Sequence, residues 1–496
     1  MLEVSEIKRL IDDDAVSVKK RFAKIGQRYY EGDHDIKGYR MFYYNSDGEL
    51  CEDTTRSNQK IIHPFFTELA DQLTSFILSG SENPIHSDAD GLQEHLDRYF
   101  DEDFWGEFAD VVTGGYVKGF DYLYAYKTED KIAFQFADSM GVVEVREKDT
   151  DKGSKCYLYW YIDRIEKGRK EIRRIQEHTD KEITFYVQEG ANGTPVLDKD
   201  VLLNPQPNVL YKHNKTGGLF GAPLGFLPFF RLDYNKKQIS GLKPIKPLID
   251  DYDLMQCGLS NNLQDFDHPI HVVKGYEGTD LDKLQQNLKT KKVVGVGESG
   301  GLDIMTINVP YQARKTKADE DEKNIYRFGM GLNTQGLKDT TATTNIAIKT
   351  AYSLLELKAK LYIRRSIKKF LKQIIKVVID DINAMNGTAY QYSDVEIDFI
   401  PETTVNETEN VANEKVKAET QQVKINNLLS VAAYIGDDET LKAFCDILDL
   451  DFEEIQANIE KAKKEETLLL DAQNTLNNVV VEDVPPIDAG EGGVEE

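Results

Sequence analysis

The apolar positions change their period as the chain is read from its start. Ile7, Leu10, Ile11 and Val18 recur at helical spacing and predict one amphipathic helix within residues 2–30. NQKIIHPFFTELADQLTSFILSG predicts a second helix over 58–80, stopped by Gly80, and a third covers roughly 91–118. From about 121 to 212 the period falls to two. DYLYAYKTEDKIAFQFA, GVVEVRE, KCYLYWYID and EITFYVQEG alternate, are rich in Tyr, Val, Ile and Phe, and are bounded by charged or glycine turns. They predict a run of antiparallel strands.

At Gly241 the helical period returns. KPIKPLIDDYDLMQCGLSNNLQDF has Pro247 in a plausible first turn, with Leu248, Ile249, Met255, Leu259 and Leu263 on one side. A β-α-β pattern follows in PIHVVKGY, TDLDKLQQNLKTK and KVVGVGESGGLDIMTINVP, and then a charged helix over 313–331. After a polar stretch rich in Gly and Thr comes the strongest local signal. From Asn345 to Met385 apolar residues recur at Ala351, Leu354, Leu355, Leu361, Ile367, Phe370, Leu371, Ile374, Val377 and Val378, with no Pro or Gly until Gly387. Such a helix would be about 60 Å long. On pattern alone it reads as a core scaffold. Residues 405–468 are mostly helical in pattern, and 481–496 have none, which predicts a disordered tail.

The length of 496 residues suggests about three domains, and 40% hydrophobic residues suffice for real cores. The start, MLEVSEIKRLIDDDA, lacks an apolar secretory core, and no run approaches the length of a membrane span. Cys51, Cys156, Cys257 and Cys445 lie far apart and read as reduced thiols. The net charge of −25 is uneven. From Asp394 onward there are 26 acids and 7 lysines, a net of −19, which leaves −6 for the first 393 residues. Such a balance argues against tight phosphate binding. The long helix is the exception: nine Lys or Arg stand against three acids.

Several motifs invite chemistry. Gly295-x-Gly297-x-x-Gly300 fits a dinucleotide fingerprint, and Gly297-x-Ser299-x-Gly301 a nucleophile elbow. Both need a helix next, whereas LDIMTINVP alternates like a strand, so a turn between strands is the expectation. His268 and His271, with Asp265 and Asp267 nearby, have Pro269 between them, which breaks the helix that would set a ligand pair. SDADGLQEHLD lacks the first and last ligands of a calcium loop. DDYD (250–253) and DDD (12–14) read as solvated helix acids. There is no Walker lysine motif. No catalytic, cofactor-binding or metal residue is expected. A serine hydrolase built on Ser299 is the alternative from another class.

Three stretches and their order resemble a known family. They are YYEGDHDI (29–36) followed by NQKIIHPFFTELADQLTSFILSG; then GFLPFFRLDYNKKQISGLKPIKPLIDDYDLMQCGLSNNLQDF (225–266); then GLNTQGLKDTTATTNIAIKT (331–350) with the basic helix behind it. Together they resemble the portal proteins of tailed bacteriophages, of the siphophage type found in Gram-positive hosts. FILSG departs from the aromatic-glycine ending that members often show at that helix.

The resemblance implies an α+β, mainly α, subunit. Its parts would be a wing of helices and antiparallel strands (1–240), a first stem helix (241–267), a small β-α-β clip (268–310), a second stem helix (311–331), a tunnel loop (332–345), a long wing helix (346–390), a helical crown (391–470) and a disordered acidic tail (471–496). It implies a ring of about a dozen copies at one capsid vertex, assembled in the host cytoplasm, through which double-stranded DNA is packaged and ejected. Implied partners are the large terminase subunit, a head-completion adaptor, and the major capsid and scaffolding proteins. No membrane partner and no cofactor is implied. Another virion structural protein, such as an adaptor or minor capsid protein, is the nearer alternative. Lys289 and Lys291 would belong to the docking surface of the clip. Lys338, Asp339, Thr340 and Thr341 would sit on the tunnel loop facing DNA. Gly331 and Gly336 would supply unusual backbone angles, the threonines would stop the helix, and Asp339 or Thr344 would cap the next one.

Overall fold

Capping side chains, more than the apolar period, decide where the N-terminal helices stop. The computed structural model describes residues 2–54, 56–80, 83–147, 153–212, 219–266, 270–274, 301–305, 311–333, 345–401, 420–428 and 436–448, with single residues or pairs elsewhere between 415 and 461. The expected helix within 2–30 is two helices, α1 (Val4–Ala15) and α2 (Val18–Tyr30). Ser17 ends the run because its hydroxyl accepts from the Lys20 amide at 3.4 Å and caps α2. The helix expected over 58–80 is confined to α3 (Phe65–Ile77). Pro64 donates no amide, and the residues before it run extended. The helix expected over 91–118 is likewise two, α4 (Leu92–Tyr99) and α5 (Glu102–Lys118). Asp101 caps α5 by accepting from Phe104 at 3.1 Å, and Gly119 ends it at φ 94°.

The strands fall where the period of two places them. Strands 142–145, 156–166, 170–178, 182–189 and 196–197 form an antiparallel meander, with 206–207 pairing back onto 182–189. A second sheet joins Phe120–Lys127 to Ile132–Ala137 on one side and to Phe229–Asp233 on the other. The last of these strands was not expected. Ile7 and Ile11 of α1, with Leu2 just before it, pack on Val143, Val145, Leu158 and Ile175 of the meander.

Two further helices form an antiparallel hairpin: α6 (Lys246–Phe266) and α7 (Tyr311–Gly329). Between them Ile270–Lys274 pairs antiparallel with Gly301–Met305. These are the outer strands of the expected β-α-β unit. Ser299 lies outside the described residues, and Gly301 after it opens a strand, as the alternation predicts. His268 also lies outside them, while His271 is in the first strand.

The long helix is real but interrupted. α8 (Asn345–Tyr362) and α9 (Lys368–Asn386) are joined by a π turn at Ile363–Ile367, and Gly387 stops the run at φ 70°. The extra residue re-aims the helix face so that Tyr362, Ile363 and Ile367 all point inward. Together with Phe370, Leu371, Ile374, Ile375, Val378 and Ile379 they form one side of the main core, with α3, α4 and α5 on the other. The expected face was partly misplaced. Leu354, Leu361 and Met385 of the expected set are exposed, Leu355 is buried as expected, and Ala359 and Ile375, outside that set, are buried too.

Two units separate at Thr403. Residues 391–401, at the start of the expected crown, belong to the first unit, where Glu396–Ile397 pairs with Ile85–His86. In the second unit α10 (Asp437–Leu448) is helical and buries Cys445. No helix among the described residues is long and apolar enough to cross a membrane.

Candidate functional site

The residues of α6 that face the protein are largely polar. Among them, Asp253, Cys257, Asn261 and Asp265 recur every four positions and so share one stripe of the helix. Alongside them runs the extended segment 57–63. The His63 amide donates to Asp253 at 3.0 Å, Ile61 to the Cys257 sulfur at 3.1 Å, Gln59 to Asn261 at 2.7 Å and Ser57 to Asp265 at 3.0 Å. Alternate amides of an extended chain repeat about every 6.7 Å, and four helical residues rise about 6.0 Å. The two repeats nearly match, so helix side chains serve as the partner strand that this segment lacks. Cys257 is therefore structural: its sulfur accepts from the Ile61 amide and its thiol donates back to the Ile61 carbonyl at 3.5 Å.

At the upper end of this ladder sits a buried cluster. Asp253 accepts from His63 Nδ1 at 2.8 Å and pairs with His34 Nδ1 at 2.6 Å. The His34 ring stacks on Tyr29 at 4.4 Å and lies against the Tyr29 carbonyl. Burial disfavours the charged carboxylate of Asp253, yet hydrogen bonds from His34 and His63 outweigh it and hold its pKa below the usual carboxylate value. One turn away, the Tyr29 hydroxyl donates to Asp250, and Lys246 bridges Asp250 at 2.7 Å and Asp35 at 2.6 Å. The acids of DDYD are thus bonded anchors: Asp253 is almost wholly buried, while Asp250 and Asp251 are paired with lysines and stay partly exposed. Asp14 of the DDD run is likewise paired, with Lys19 and Lys20. Both Nδ1 atoms of the cluster face Asp253, and no group of three or more His, Cys, Asp or Glu among the described residues is placed to hold a metal ion.

The second helix is bound to the first by polar contacts. Lys317 joins Asp251 at 2.6 Å and Asp321 on its own helix, and Arg314 donates to the Asn262 side-chain oxygen at 2.7 Å beside Gly258. Nearer the root the contacts become aromatic. Phe65 meets Tyr252 at 4.9 Å and Tyr326 at 5.8 Å, both edge-on, and the Tyr326 hydroxyl donates to Glu68.

The exit from α7 is built differently from the expectation. The left-handed residue is Met330, at φ 53°, and not Gly331. Gly331 is there for space, since a Cβ would stand 2.0 Å from Leu69 Cδ2. Gln72 then clamps the backbone of Leu332, accepting from its amide and donating to its carbonyl, each at 2.9 Å. Lys358 of α8 donates to the Gly329 carbonyl at 2.8 Å and to the Tyr116 hydroxyl at 3.0 Å. The Lys358 amino group thereby sits at the negative end of the α7 dipole. Gln72 and Lys358 together thus fix the chain at Leu332 and Gly329, just before residues 334–344. Lys338, Asp339, Thr340 and Thr341 on that segment, Gly336 beside them, and Lys289 and Lys291 between the two ribbon strands all lie outside the described residues.

Lys358 gives a pH test. Burial pushes its ammonium down to about 7 from 10.5, against the pull of the Gly329 carbonyl and the Tyr116 ring face 4.1 Å away. Between those pH values the unfolded chain holds more protons at this position than the folded one. The contribution of the neutral amine to stability is therefore complete above about 10.5 and lost as pH falls to about 7. Urea midpoints of the natural chain and Lys358→Met, compared from pH 7 to 9.5, should diverge in favour of the natural chain as pH rises. A constant difference would show that the residue titrates normally.

Pattern reading found both sequence stretches, 29–36 and 250–253, but missed that they meet. It also missed His63, Cys257, Asn261, Gln72 and Lys358. The four-residue polar spacing along α6 was the available signal for two of them.

A family model described as "Phage portal protein, SPP1 Gp6-like" matches residues 13–466. The portal protein of Bacillus phage SPP1 is 25% identical over 342 residues, which are 68% of this chain and 66% of that protein. The portal protein of Clostridium phage phiCD119 is 24% identical over 395 residues, 75% of this chain and 82% of that one. The match thus spans just under two thirds of the length of the first relative. Among solved structures, a chain from the neck of a native gene transfer agent particle, computed with C12 symmetry, aligns over 78% of this chain and 90% of its own at 12% identity and a TM-score of 0.38.

Proposed function

The chain belongs to the phage portal protein family, SPP1 Gp6-like, and from that membership we propose that it is the subunit of a ring at one capsid vertex. About a dozen copies would surround a channel through which double-stranded DNA is packaged and later ejected. The observation that carries this reading is the hairpin of α6 and α7. Its two helices are joined largely by ion pairs and amide contacts, are tipped by a two-stranded ribbon, and are rooted in a large core by the Asp253 cluster. A helix pair with charged outer faces suits a stalk packed against its neighbours better than the core of one chain. In this reading α6 and α7 form the stem, and 268–310 the clip that docks the large terminase subunit and then a head-completion adaptor. Residues 1–240 with α8 and α9 form the wing, met by capsid and scaffolding proteins. The acidic segment beyond 403 forms the crown. The reading assigns no chemistry to Ser299.

The segment 334–344 is the tunnel loop. Lys358 on Gly329 and Gln72 on Leu332 fix the chain just before it, which supports a loop presented from a rigid base. Lys338 meets phosphate weakly, because Asp339 beside it offsets its charge, and DNA slides without sticking. The charge of the chain, −25 overall, supports a conduit and disfavours a clamp.

End-on images of the purified protein should show rings with a central hole. Lys338→Ala, Asp339→Ala and a bulky residue at Thr341, tested beside Lys289→Ala and Lys291→Ala, should all leave rings intact while DNA packaged per capsid falls. A monomer at micromolar concentration across several salt conditions sinks the ring. Unchanged packaging by every variant sinks the loop and clip assignments alone.

A further inference from the structure

Residues 42–52 form a two-stranded ribbon that stands apart from the cores. Phe42–Tyr44 pairs antiparallel with Leu50–Glu52, and Asn45 closes the turn through its contacts to Glu49. Cross-strand partners share a face, as do residues two apart. Phe42, Tyr44, Leu50 and Glu52 therefore point one way, and Tyr43 and Cys51 the other. The first face is apolar and open to water: Tyr44 is 73% exposed, Leu50 59% and Phe42 54%. A lone two-stranded ribbon is marginal in water, and a contiguous exposed aromatic patch marks an interaction surface.

The place of the ribbon is set at its base. Lys60 donates to the Tyr39 carbonyl and lies 5.0 Å over the Tyr39 ring. On either side of Lys60, Gln59 and Ile61 are bonded to Asn261 and Cys257. The ribbon therefore springs from the level of residues 257–261 along the hairpin. Its residues 39–53 hold Asp47, Glu49, Glu52 and Asp53 against one base, Arg40, a net of −3.

We infer that this ribbon face docks on a second copy of the chain, in the groove between its α6 and α7. The inference rests on the ring reading above. A ring operator turns each atom about the axis without moving it along the axis. With the hairpin running along that axis, the ribbon meets residues of its neighbour at its own level. At that level the two helices leave a cavity of about 130 Å³, lined by Met255, Leu259, Tyr311, Arg314, Lys315 and Ala318. Met255, Leu259 and Ala318 supply the apolar part of a lining that is otherwise polar. Tyr311 is 55% exposed, as is Leu263 nearby. Arg314 and Lys315, with one acid, Asp319, give a rim that complements the acidic ribbon. The contact is heterologous, patch against groove, which is the type that closes into rings.

The test uses the full-length chain with Cys51→Ser. Copies carrying Leu50→Cys are co-expressed with copies carrying Lys315→Cys, and the product is treated with a short bismaleimide. A dimer-sized band should appear from the mixture and not from either variant alone. A chain carrying both substitutions should give a ladder of linked species reaching the ring size. Phe42→Ser with Tyr44→Ser, both at exposed positions, should lower the fraction sedimenting as rings at least tenfold without loss of helical signal. If rings form on grids and no linked species appear, or the double variant links only within itself, the docking is wrong while the ring stands. If the unsubstituted protein forms no rings, the ring reading falls and this inference with it.

Discussion

Asp253→Ala is expected to cost the first unit about 3–5 kcal/mol, the penalty for removing one partner from a buried polar cluster. The side chain meets His34 Nδ1, His63 Nδ1 and the His63 amide, all within 3.0 Å, and is itself 1% exposed. Alanine would leave His34 unpaired where water does not reach it, and the His63 groups unpaired at a partly open edge. It would also free the top of the ladder that holds 57–63 against α6, so the root of the hairpin should loosen first. Asp253→Asn should cost less than half as much. The amide oxygen keeps the His63 contacts, and His34 adapts by accepting at Nδ1 while donating from Nε2 to the Tyr29 carbonyl, which lies 3.3 Å away. Acid acts on the same group. Its folded pKa is depressed, so its contribution is complete above the unfolded value of 3.8 and is lost as pH falls through the lower folded value. Urea midpoints for the three chains at pH 7 check the order. A loss under about 1 kcal/mol for the alanine variant would show that other contacts hold the hairpin root.

Gly26→Ala is expected to destabilise by about 3 kcal/mol, near the top of the usual range for overpacking. Intrinsic helix propensity favours alanine over glycine by about 1 kcal/mol, so the sign runs against it. The reason is the crossing of α2 over α5. A Cβ at Gly26 would stand 2.0 Å from the Val117 carbonyl oxygen and 2.7 Å from the Ser240 hydroxyl. A backbone carbonyl on a buried helix does not swing aside as a side chain does. Gly106 in α5 supplies the control, because nothing lies within 4 Å of its would-be Cβ. Gly106→Ala should stabilise by about 1 kcal/mol. Thermal melts of both variants decide the matter, and equal behaviour would refute the close crossing.

The helices and strands were legible to the extent that they answer to local rules. Strand 132–137 alternates buried and open positions, whereas 120–127 is buried almost throughout and 156–166 runs from a buried start to an exposed end, so their Tyr, Ile and Val content marked them more than their period did. The long helix carries ten turns of apolar signal and no breaker, so its existence was plain. The breaks between α1 and α2 and between α4 and α5 were readable in principle from Ser17 and Asp101, whose caps override a continuing apolar period. Which leucines of α8 face inward was not readable, because one π turn shifts the face and leaves no mark on composition.

By itself the sequence determined the order of elements, the charge asymmetry, the absence of a signature for metal or nucleotide chemistry, and a resemblance in three stretches to portal proteins. Only the tertiary structure decided what those stretches do to each other. Tyr29 and His34 lie more than two hundred positions from Asp250 and Asp253, and Gln72 as far from Leu332. Periodicity records which face of an element is buried, not which element buries it. A polar residue on a buried face carries no information about its partner until the chain has closed the loop between them. The acids of α6, read one by one, look like solvated charges. They become anchors because an extended segment with unpaired amides lies along them at a matching repeat.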